Sequence, residues 1–417
     1  MARRSLQTRI LEGLRRSFDL VRENQRLAVI MISTVLVMSG QGVISPVLPL
    51  FARSFGASAA SVGLTLSAFA VARLLLNVPL GMASDRYGRR PLLVAGPVVT
   101  GIGMIGSGFA EGIPDLLAWR LIAGAGSAMY MTGAQVYLVD ISTQQNRARV
   151  LGANQGALLV GVSLGPGLGG VLAEAFGFRV PFFAVGGAAL LTSVYGYLRL
   201  PETHGPRGPA GSLEGSAESS EAPGGPAWRR LLGSRDFLAV SLLTAMVFLT
   251  RAGGRFTVFP LLATAKFGYG ASSIGALFTA MALINLIGLG PAATLSDRVG
   301  RKAAILPSGL VTAAALALIA WTGDPAVFLG AALLLAVGTS IMGPAPAAYA
   351  ADVAPREVRG LAMGLYRSAG DLGFVIGPVL LGAIADATTL GGALAANAVI
   401  VLTVTLLFAA LARESRK

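Results

Sequence analysis

The sequence contains no cysteine and only one histidine, His204. Without cysteine there can be no disulfide, no thiolate nucleophile and no cysteine-ligated metal. His204 stands in a polar stretch, so histidine metal sites and Ser-His catalysis are excluded from any apolar interior. The nucleotide-binding pattern G-x4-G-K-[ST] is also missing, which argues against direct drive by ATP. We therefore expect no enzymatic activity, no cofactor and no metal.

Charged residues are scarce as well. They make up 13% of the 417 residues, whereas 54% are hydrophobic, and a soluble domain carries about 25% charged residues. Apolar runs of roughly 20 residues recur along the chain, which is the length needed to cross about 30 Å of hydrocarbon. Fifty-five glycines suit helices that approach closely within a membrane. The composition predicts a polytopic membrane protein.

The net charge of +13 has two interpretations, a nucleic-acid partner or the positive-inside bias of membrane loops. If the amino terminus is cytoplasmic, 25 of the 33 lysines and arginines fall in cytoplasmic segments and three in loops on the opposite side. This asymmetry favours the second interpretation. We expect both termini to be cytoplasmic and no nucleic-acid partner.

The apolar runs form two sets of six, separated by a polar linker rich in proline and glycine over residues 200–236. Residues 1–26 predict a basic amphipathic helix on the inner leaflet, with a solvated tail as the alternative, and residues 413–417 form a short cytoplasmic tail. The two predicted six-helix bundles are 27–199 and 237–412. Their runs are at 27–51, 61–83, 91–110, 116–139, 152–174, 180–198, 237–262, 272–294, 303–322, 326–350, 361–384 and 391–411.

An internal repeat relates the two sets. The segment 84–90 (SDRYGRR) recurs at 296–302 (SDRVGRK), 212 residues later, and the same offset maps Asp140 onto Asp352. A constant offset over nearly ninety residues indicates a duplicated half. Because both copies have six spans, the halves share one orientation and are parallel repeats about an axis along the membrane normal.

The ordered pattern D-R-x-G-R, present twice, resembles the signature loop between helices 2 and 3 of the major facilitator superfamily, and the resemblance covers nearly the whole chain. It implies an all-α fold of twelve transmembrane helices in two pseudo-symmetric bundles. In that family the loop is a cytoplasmic latch that forms and breaks contacts during alternating access. The gating residues implied are Gly81, Asp85, Arg86, Gly88, Arg89, Arg90, Asp140, Arg147, Asp297, Arg298, Arg301, Asp352 and Arg359.

Three further patterns resemble the twelve-helix drug/proton antiporters of the superfamily. The helix-1 segment from Gly40 to Pro49 is similar to their pattern. Arg120 of helix 4 matches an arginine linked to proton transfer, although Ala123 stands where glutamine is frequent. The helix-5 spacing G-x8-G-x3-G-P-x2-G-G resembles the antiporter motif, with glycines expected to pack against the other half. Its residues are Gly152, Gly161, Gly165, Pro166, Gly169 and Gly170.

Ionisable residues inside the spans are costly and therefore candidates for function. Arg73 lies 12 residues before Asp85, and Asp371 lies 12 residues after Arg359, so both are about 18 Å inside the membrane. We hypothesise that Asp371 pairs with Arg73, or with the helix-7 arginines, and that its protonation breaks the pair. A fixed structural ion pair is the alternative. The candidates for proton coupling are Asp371, Arg73 and Arg120.

Arg251 and Arg255 are four residues apart and share one face of helix 7. They suit an anionic group on a substrate, or they neutralise Asp371. Helix 1 has no acidic residue, which counts against a dedicated cation exporter. Polar residues on helices that line the cavity of the family complete the set of substrate candidates: Gln41, Tyr130, Gln135, Arg251, Arg255 and Tyr349.

The sequence thus predicts a secondary transporter of the inner or plasma membrane, expected to be monomeric, whose partners are a small-molecule substrate, protons and membrane lipids. The preferred function is proton-coupled export of amphipathic organic compounds or drugs, and export rests on the helix-5 resemblance. One alternative is an importer or exchanger of an organic anion that uses the helix-7 arginines. A second alternative is a membrane sensor that does not transport.

Overall fold

The structure is a computed structural model that describes residues 24–143, 145–203, 231, 233–355 and 358–414, without the side chains of residues 148, 293 and 297. Residues 1–23 of the amphipathic segment predicted over 1–26, most of the linker and residues 415–417 of the tail predicted over 413–417 lie outside these residues. The described parts of the chain form helices joined by short turns.

The amino-terminal half contains six helices, and each of them holds one predicted apolar run to within a residue or two. They are α1 (Gln25–Ser54), α2 (Ala59–Tyr87), α3 (Arg89–Phe109), α4 (Ile113–Asp140), α5 (Arg147–Phe176) and α6 (Val180–Arg199). The carboxy-terminal half repeats this pattern. Its helices are α7 (Arg235–Phe267), α8 (Ala271–Val299), α9 (Arg301–Trp321), α10 (Pro325–Val353), α11 (Arg359–Ala387) and α12 (Leu390–Leu411).

Two helices are interrupted in ways that the apolar pattern did not predict. In α7 the segment Thr250–Val258 is π-helical, and the hydroxyl of Thr257 donates to the carbonyl of Ala252, five residues earlier, over 2.9 Å. Two consecutive glycines in that segment give the backbone freedom for the wider turn. In α10 the helix breaks at Gly343, where the next residue is a proline without an N–H to continue the ladder.

Eleven helices of the described chain are long and apolar enough to cross a membrane. The remaining helix of that length is α4, with 28 residues; it meets the requirement of length, but Asp115, Arg120 and Gln135 lower its apolar content. The predicted fold class, an all-α membrane protein of two six-helix bundles, is confirmed.

The two halves have the same internal packing. In the first half α1 contacts α5, α3 contacts α4 and α6, and α2 contacts α4; in the second, α7 contacts α11, α9 contacts α10 and α12, and α8 contacts α10. Between the halves, α2 packs on α11 and α5 packs on α8. The 212-residue offset therefore relates the interface as well as the bundles.

The two ends of the molecule are named by their position relative to the linker between the halves. The linker side carries Asn24, Leu200, Ser234 and Glu414, and the opposite end is the far side. Helices with odd numbers run from the linker side to the far side, and helices with even numbers return.

Candidate functional site

A cleft separates the halves at the linker side and closes at the far side. On the far side one buried apolar cluster includes residues of both halves, among them Phe51 and Phe182 of the first and Phe259 and Phe278 of the second. The two halves therefore share a packed apolar core at the far side.

On the linker side the halves have separate apolar clusters. One cluster, around Tyr137 and Leu200, belongs to the first half, and another, around Phe237 and Ala354, belongs to the second. The surfaces between them are open, since a Cβ atom placed at glycines near the linker-side ends of α5, α8 and α11 would meet no atom within 4 Å. These glycines are Gly152, Gly156, Gly290, Gly360 and Gly364.

Each far-side crossing between the halves depends on a glycine opposite a proline carbonyl. A Cβ atom at Gly63 of α2 would collide with the carbonyl of Pro378 in α11, and a Cβ at Gly275 of α8 would collide with the carbonyl of Pro166 in α5. The 212-residue offset relates Gly63 to Gly275 and Pro166 to Pro378. Sequence reasoning missed both glycines, although the repeat contained the signal.

Asp371 is partly buried on α11 and has charges from both halves nearby. Arg73 of α2 and Arg367 of α11 are near enough for their charges to act on it, but no salt bridge within 4.0 Å joins Asp371 to either one in the described chain. The Nε of Arg73 is buried without a hydrogen-bond partner. Nearer the linker side, Arg367 donates to Gln135 of α4 over 3.5 Å. Sequence reasoning missed Arg367.

The helix-7 arginines are not partners of Asp371. Both lie on the π-helical segment. Arg255 donates to the carbonyl of Phe278 over 3.4 Å, and its guanidinium lies 5.4 Å from the ring of Phe278 and 5.8 Å from that of Phe256. Arg251 is exposed and lies 5.8 Å from the same Phe256 ring. Of the partners predicted for Asp371, only Arg73 lies near it in the structure.

Arg120 is buried inside the first half, with 6% of its surface exposed. Its guanidinium lies 4.6 Å from the ring of Phe69, and it donates to the carbonyl of Thr65 over 3.4 Å and to the sulfur of Met104 over 3.9 Å. These groups stabilise the cation without an acidic partner among the described residues. None of these contacts involves Asp371 or Arg73.

Gln41 of α1 donates to Ser127 of α4 over 3.5 Å and lines a small cavity that also touches Phe69, Thr100 and Met104. The hydroxyl of Thr100 is buried without a partner in the described structure. The cavity lies within the first half, among α1, α2, α3, α4 and α6. Gln41 is thus placed beside the neighbours of Arg120.

Two predicted cavity residues are elsewhere. Tyr130 is 1% exposed, and its hydroxyl lies 3.0 Å from that of Thr34 in the core of the first half. Tyr349 is 0% exposed, and its hydroxyl lies 3.0 Å from a carboxylate oxygen of Asp236 and 2.8 Å from the carbonyl of Arg413, at the linker side. Their placement in the substrate cavity was wrong. The hydroxyl of Tyr130 has its partner in the core of the first half, and that of Tyr349 has its partners at the start of α7 and just after α12.

The first signature loop forms a compact ionic cluster. Arg89 is 1% exposed and binds Asp140 at 2.9 Å and Asp85 at 3.0 Å, and it also donates to the carbonyl of Ser84 over 2.8 Å. Gly88 joins α2 to α3 with a φ of +96°, a conformation that favours glycine. The Asp85 and Asp140 contacts described here lie within the first half.

The second signature loop repeats this arrangement. Arg301 binds Asp352 at 3.3 Å and donates to the hydroxyl of Ser296 over 3.1 Å, and Gly300 joins α8 to α9 with a φ of +112°. The predicted latch partners are thus assembled inside each half, on opposite walls of the open end of the cleft. The side chain of Asp297 lies outside the described residues.

A pair of glutamates that sequence reasoning missed completes the two loops. The carboxylate of Glu202 accepts the backbone N–H groups of Arg89 and Arg90 over 3.0 and 3.1 Å, at the start of α3. Glu414 accepts those of Lys302 and Ala303 over 3.2 Å each, at the start of α9. The residue numbers differ by 212, so the repeat extends to the end of the described chain.

The remaining gating candidates lie around these clusters. Arg90 donates to the carbonyl of Tyr197 over 2.8 Å, Arg86 lies 5.3 Å from the ring of Tyr87, and Arg147 donates to the hydroxyl of Ser142 over 3.3 Å. Gly81 faces open space, because a Cβ placed there would have no atom within 4 Å. Two further candidates, Arg298 and Arg359, are exposed.

The helix-5 glycines mostly pack within their own half, which corrects the expectation that they face the other one. Backbone atoms of α1 would collide with a Cβ at Gly161, Gly165 or Gly169, whereas Gly170 meets the backbone of α8 at Ala271. Of the other motif residues, Gly152 is open and Pro166 lies at the crossing with α8. The motif therefore holds α1 against α5 and contributes to the interface only at its far-side end.

Comparison with known proteins agrees with this geometry. The family model described as Major Facilitator Superfamily matches residues 30–258 and 245–417. The chain belongs to the major facilitator superfamily. It is therefore an integral membrane transporter of a small-molecule substrate, and not an enzyme.

Curated relatives cover most of the chain at low identity. Multidrug resistance protein 1 of Bacillus subtilis (strain 168) is 26% identical over 370 residues, which cover 88% of this chain and 91% of the relative. Quinolone resistance protein NorA of Staphylococcus aureus (strain COL) is 23% identical over 369 residues, which cover 87% of this chain and 90% of the relative.

The fold is also that of solved transporters. A bacterial homologue of the human lysosomal transporter Spinster, in an inward-facing and occupied conformation, superposes with a TM-score of 0.78 at 18% identity, covering 92% of this chain and 96% of the other. The human organic anion transporter MFSD10 gives a TM-score of 0.65 at 19% identity, covering 92% and 98%. At these identities the likeness concerns the fold alone.

Proposed function

We propose that this transporter exports amphipathic organic compounds in exchange for protons, by alternating access, with the linker side and both termini in the cytoplasm. The open linker side and closed far side support the proposal, because an exporter loads its substrate from the cytoplasm in such a state. The names of the multidrug and quinolone resistance relatives support export of drug-like compounds.

The observation that carries proton coupling is the partly buried Asp371 of α11, with Arg73 from the other half and Arg367 from its own helix nearby. Carboxylates inside a membrane protein are expensive and commonly belong to ion or proton pathways. While Asp371 is charged, it attracts Arg73 across the interface. A proton on Asp371 removes that attraction, so the protonation state changes the relative free energies of the two access states.

Asp371→Asn tests this proposal because the amide keeps the shape of the side chain and cannot bind a proton. Purified protein is reconstituted in proteoliposomes with a pH-sensitive dye inside, and a panel of amphipathic substrates is added. We expect wild type to give substrate-driven pH changes and Asp371→Asn to give none, while substrate binding in detergent persists.

Asp115→Asn is the matched control, since Asp115 is exposed in the first turn of α4 and should keep normal coupling. Undiminished substrate-driven pH changes in Asp371→Asn would exclude Asp371 as the coupling site. A wild-type protein that gives no pH change with any substrate would exclude the exchange of protons proposed here.

A second candidate function, exchange or import of an organic anion, is favoured by the charges of the helix interiors. Beyond the first and last turns of the described helices, five arginines accompany one aspartate, namely Arg73, Arg120, Arg251, Arg255, Arg367 and Asp371. Such an excess of positive charge attracts carboxylate or phosphate groups.

A further inference from the structure

Two carboxylates at the far side bind the first turns of helices in the opposite half. Asp386, in the last turn of α11, accepts the backbone N–H of Ala59 over 2.8 Å with one oxygen and that of Ala60 over 2.9 Å with the other. Glu174, in the last turn of α5, accepts the N–H of Ser272 at the start of α8 over 3.0 Å. Each contact joins one half to the other.

These contacts are related by the internal repeat. Glu174 and Asp386 are 212 residues apart, and so are Ala60 and Ser272, whose backbone N–H groups donate to them: Ser272 donates to Glu174 and Ala60 donates to Asp386. The same arrangement has therefore formed at both far-side crossings, α2 with α11 and α5 with α8. Neither carboxylate belongs to the signature loops, the helix-5 motif or the cleft.

The first N–H groups of a helix have no partner within it and carry a partial positive charge. A carboxylate is well suited to them, because it accepts strongly and is favoured at a helix amino terminus. Asp386 has an additional charged neighbour in Arg53. Since donor and acceptor belong to different halves, each cap can exist only while the far side is closed.

We propose that Glu174 and Asp386 are the positioning residues of the far-side gate, a matched pair of helix caps that stabilises the state closed at the far side and that must break for it to open. The inference rests on the alternating-access cycle proposed above. Each cap adds a free-energy difference between the two access states without touching the substrate. Loss of a cap increases the population that is open at the far side.

The chain itself offers a reporter for this equilibrium. It contains no cysteine, and Ser67 of α2 is 4% exposed at the crossing with α11, where its hydroxyl donates to the carbonyl of Val375 over 2.6 Å. A Ser67→Cys protein in detergent carries one thiol, which a maleimide reaches only when the far side opens. The labelling rate then measures how often it opens.

In this background we expect Glu174→Ala and Asp386→Ala each to accelerate labelling about five-fold, because each variant loses the carboxylate that caps a helix of the other half. The double variant is expected to show roughly the product of the two effects, because the caps lie on different helix pairs. Glu174→Gln and Asp386→Asn keep an accepting oxygen and should accelerate labelling less.

Asp324→Ala is the matched control. Asp324 caps α10 at the far side through the N–H groups of Ala326 and Val327, over 2.7 and 3.3 Å, within a single half, so its loss should leave the labelling rate unchanged. Acceleration by the two interface variants but not by Asp324→Ala supports the gate.

Labelling at the parental rate in both the alanine and the amide variants would overturn the inference, and so would equal acceleration by Asp324→Ala. If an alanine variant fails to fold, the amide variants decide between these outcomes. If the cap variants label at the parental rate while wild type still gives substrate-driven pH changes, the gate proposal is wrong and the proposed function stands. The two proposals can therefore fail separately.

Discussion

Among single residues, Asp371 combines a charged neighbour from the other half, Arg73, with one from its own helix, Arg367. Arg73 lies 12 residues from Asp85, and Asp371 lies 12 residues from Arg359. These equal distances indicated similar depths, and the structure brings the two charges together. Arg367 was missed, although it precedes Asp371 by four residues and the spacing puts both on one helix face. The separation of Arg251 and Arg255 from Asp371 depends on how helices of the second half are rotated, which spacing along one helix does not determine.

The arginines of α7 allow the two candidate substrate classes to be separated. If the substrate is an organic anion, Arg251→Ala with Arg255→Ala should reduce transport of carboxylate-bearing substrates at least ten-fold, since each charge-assisted hydrogen bond contributes about 1.5–3 kcal/mol. Uptake of radiolabelled substrate into proteoliposomes measures this. Neutral and cationic drugs are the control, and equal transport of all classes by both proteins would exclude the anion function.

At the scale of elements, the positions of helices were predictable because their apolar runs must match the thickness of the membrane. The hydrogen-bonding pattern inside each helix was less predictable. The π-helical segment of α7 places two arginines and Phe256 on a wider turn, and short π segments are frequent at functional sites. The apolar pattern continues through it, and so gives no sign of the change in hydrogen bonding.

The correction to the helix-5 glycines leads to a test of packing. Gly165→Leu would drive a side chain into the α1 backbone at Ser39 and Gly42, whereas Gly152→Leu enters open space. Overpacking costs about 1–3 kcal/mol, so Gly165→Leu should lower the thermal unfolding midpoint in detergent and Gly152→Leu should not. Equal midpoints for the two variants would contradict the close contact of α5 with α1.

At the scale of the whole molecule, the 212-residue offset predicted two equivalent halves, and the structure extends the equivalence to the interface. The access state was not predictable. It depends on whether Pro166 and Pro378 meet the glycines of the opposite half, a contact between residues more than a hundred positions apart. The repeat determines which surfaces can meet but not which end of the cleft is closed.

A disulfide across the closed end would test the two-state behaviour of the molecule. A Cβ at Gly167 would lie 3.9 Å from the Cβ of Thr279 in the other half, within the range of a disulfide, and no native cysteine competes. Oxidised Gly167→Cys with Thr279→Cys should bind substrate but transport none, and a reductant should restore transport. The single Gly167→Cys protein under the same oxidant is the control; full transport by the oxidised double variant would contradict alternating access.

The last described residues have a practical consequence. Glu414 caps α9, the carbonyl of Arg413 accepts from Tyr349, and the N–H of Arg413 donates to Asp236 over 2.7 Å. Truncation of the chain before residue 413, for example to attach a fluorescent protein or an affinity tag, would therefore remove contacts to three helices. Fusions and truncations intended for expression screening should retain the chain through Glu414, where the duplicated fold is completed.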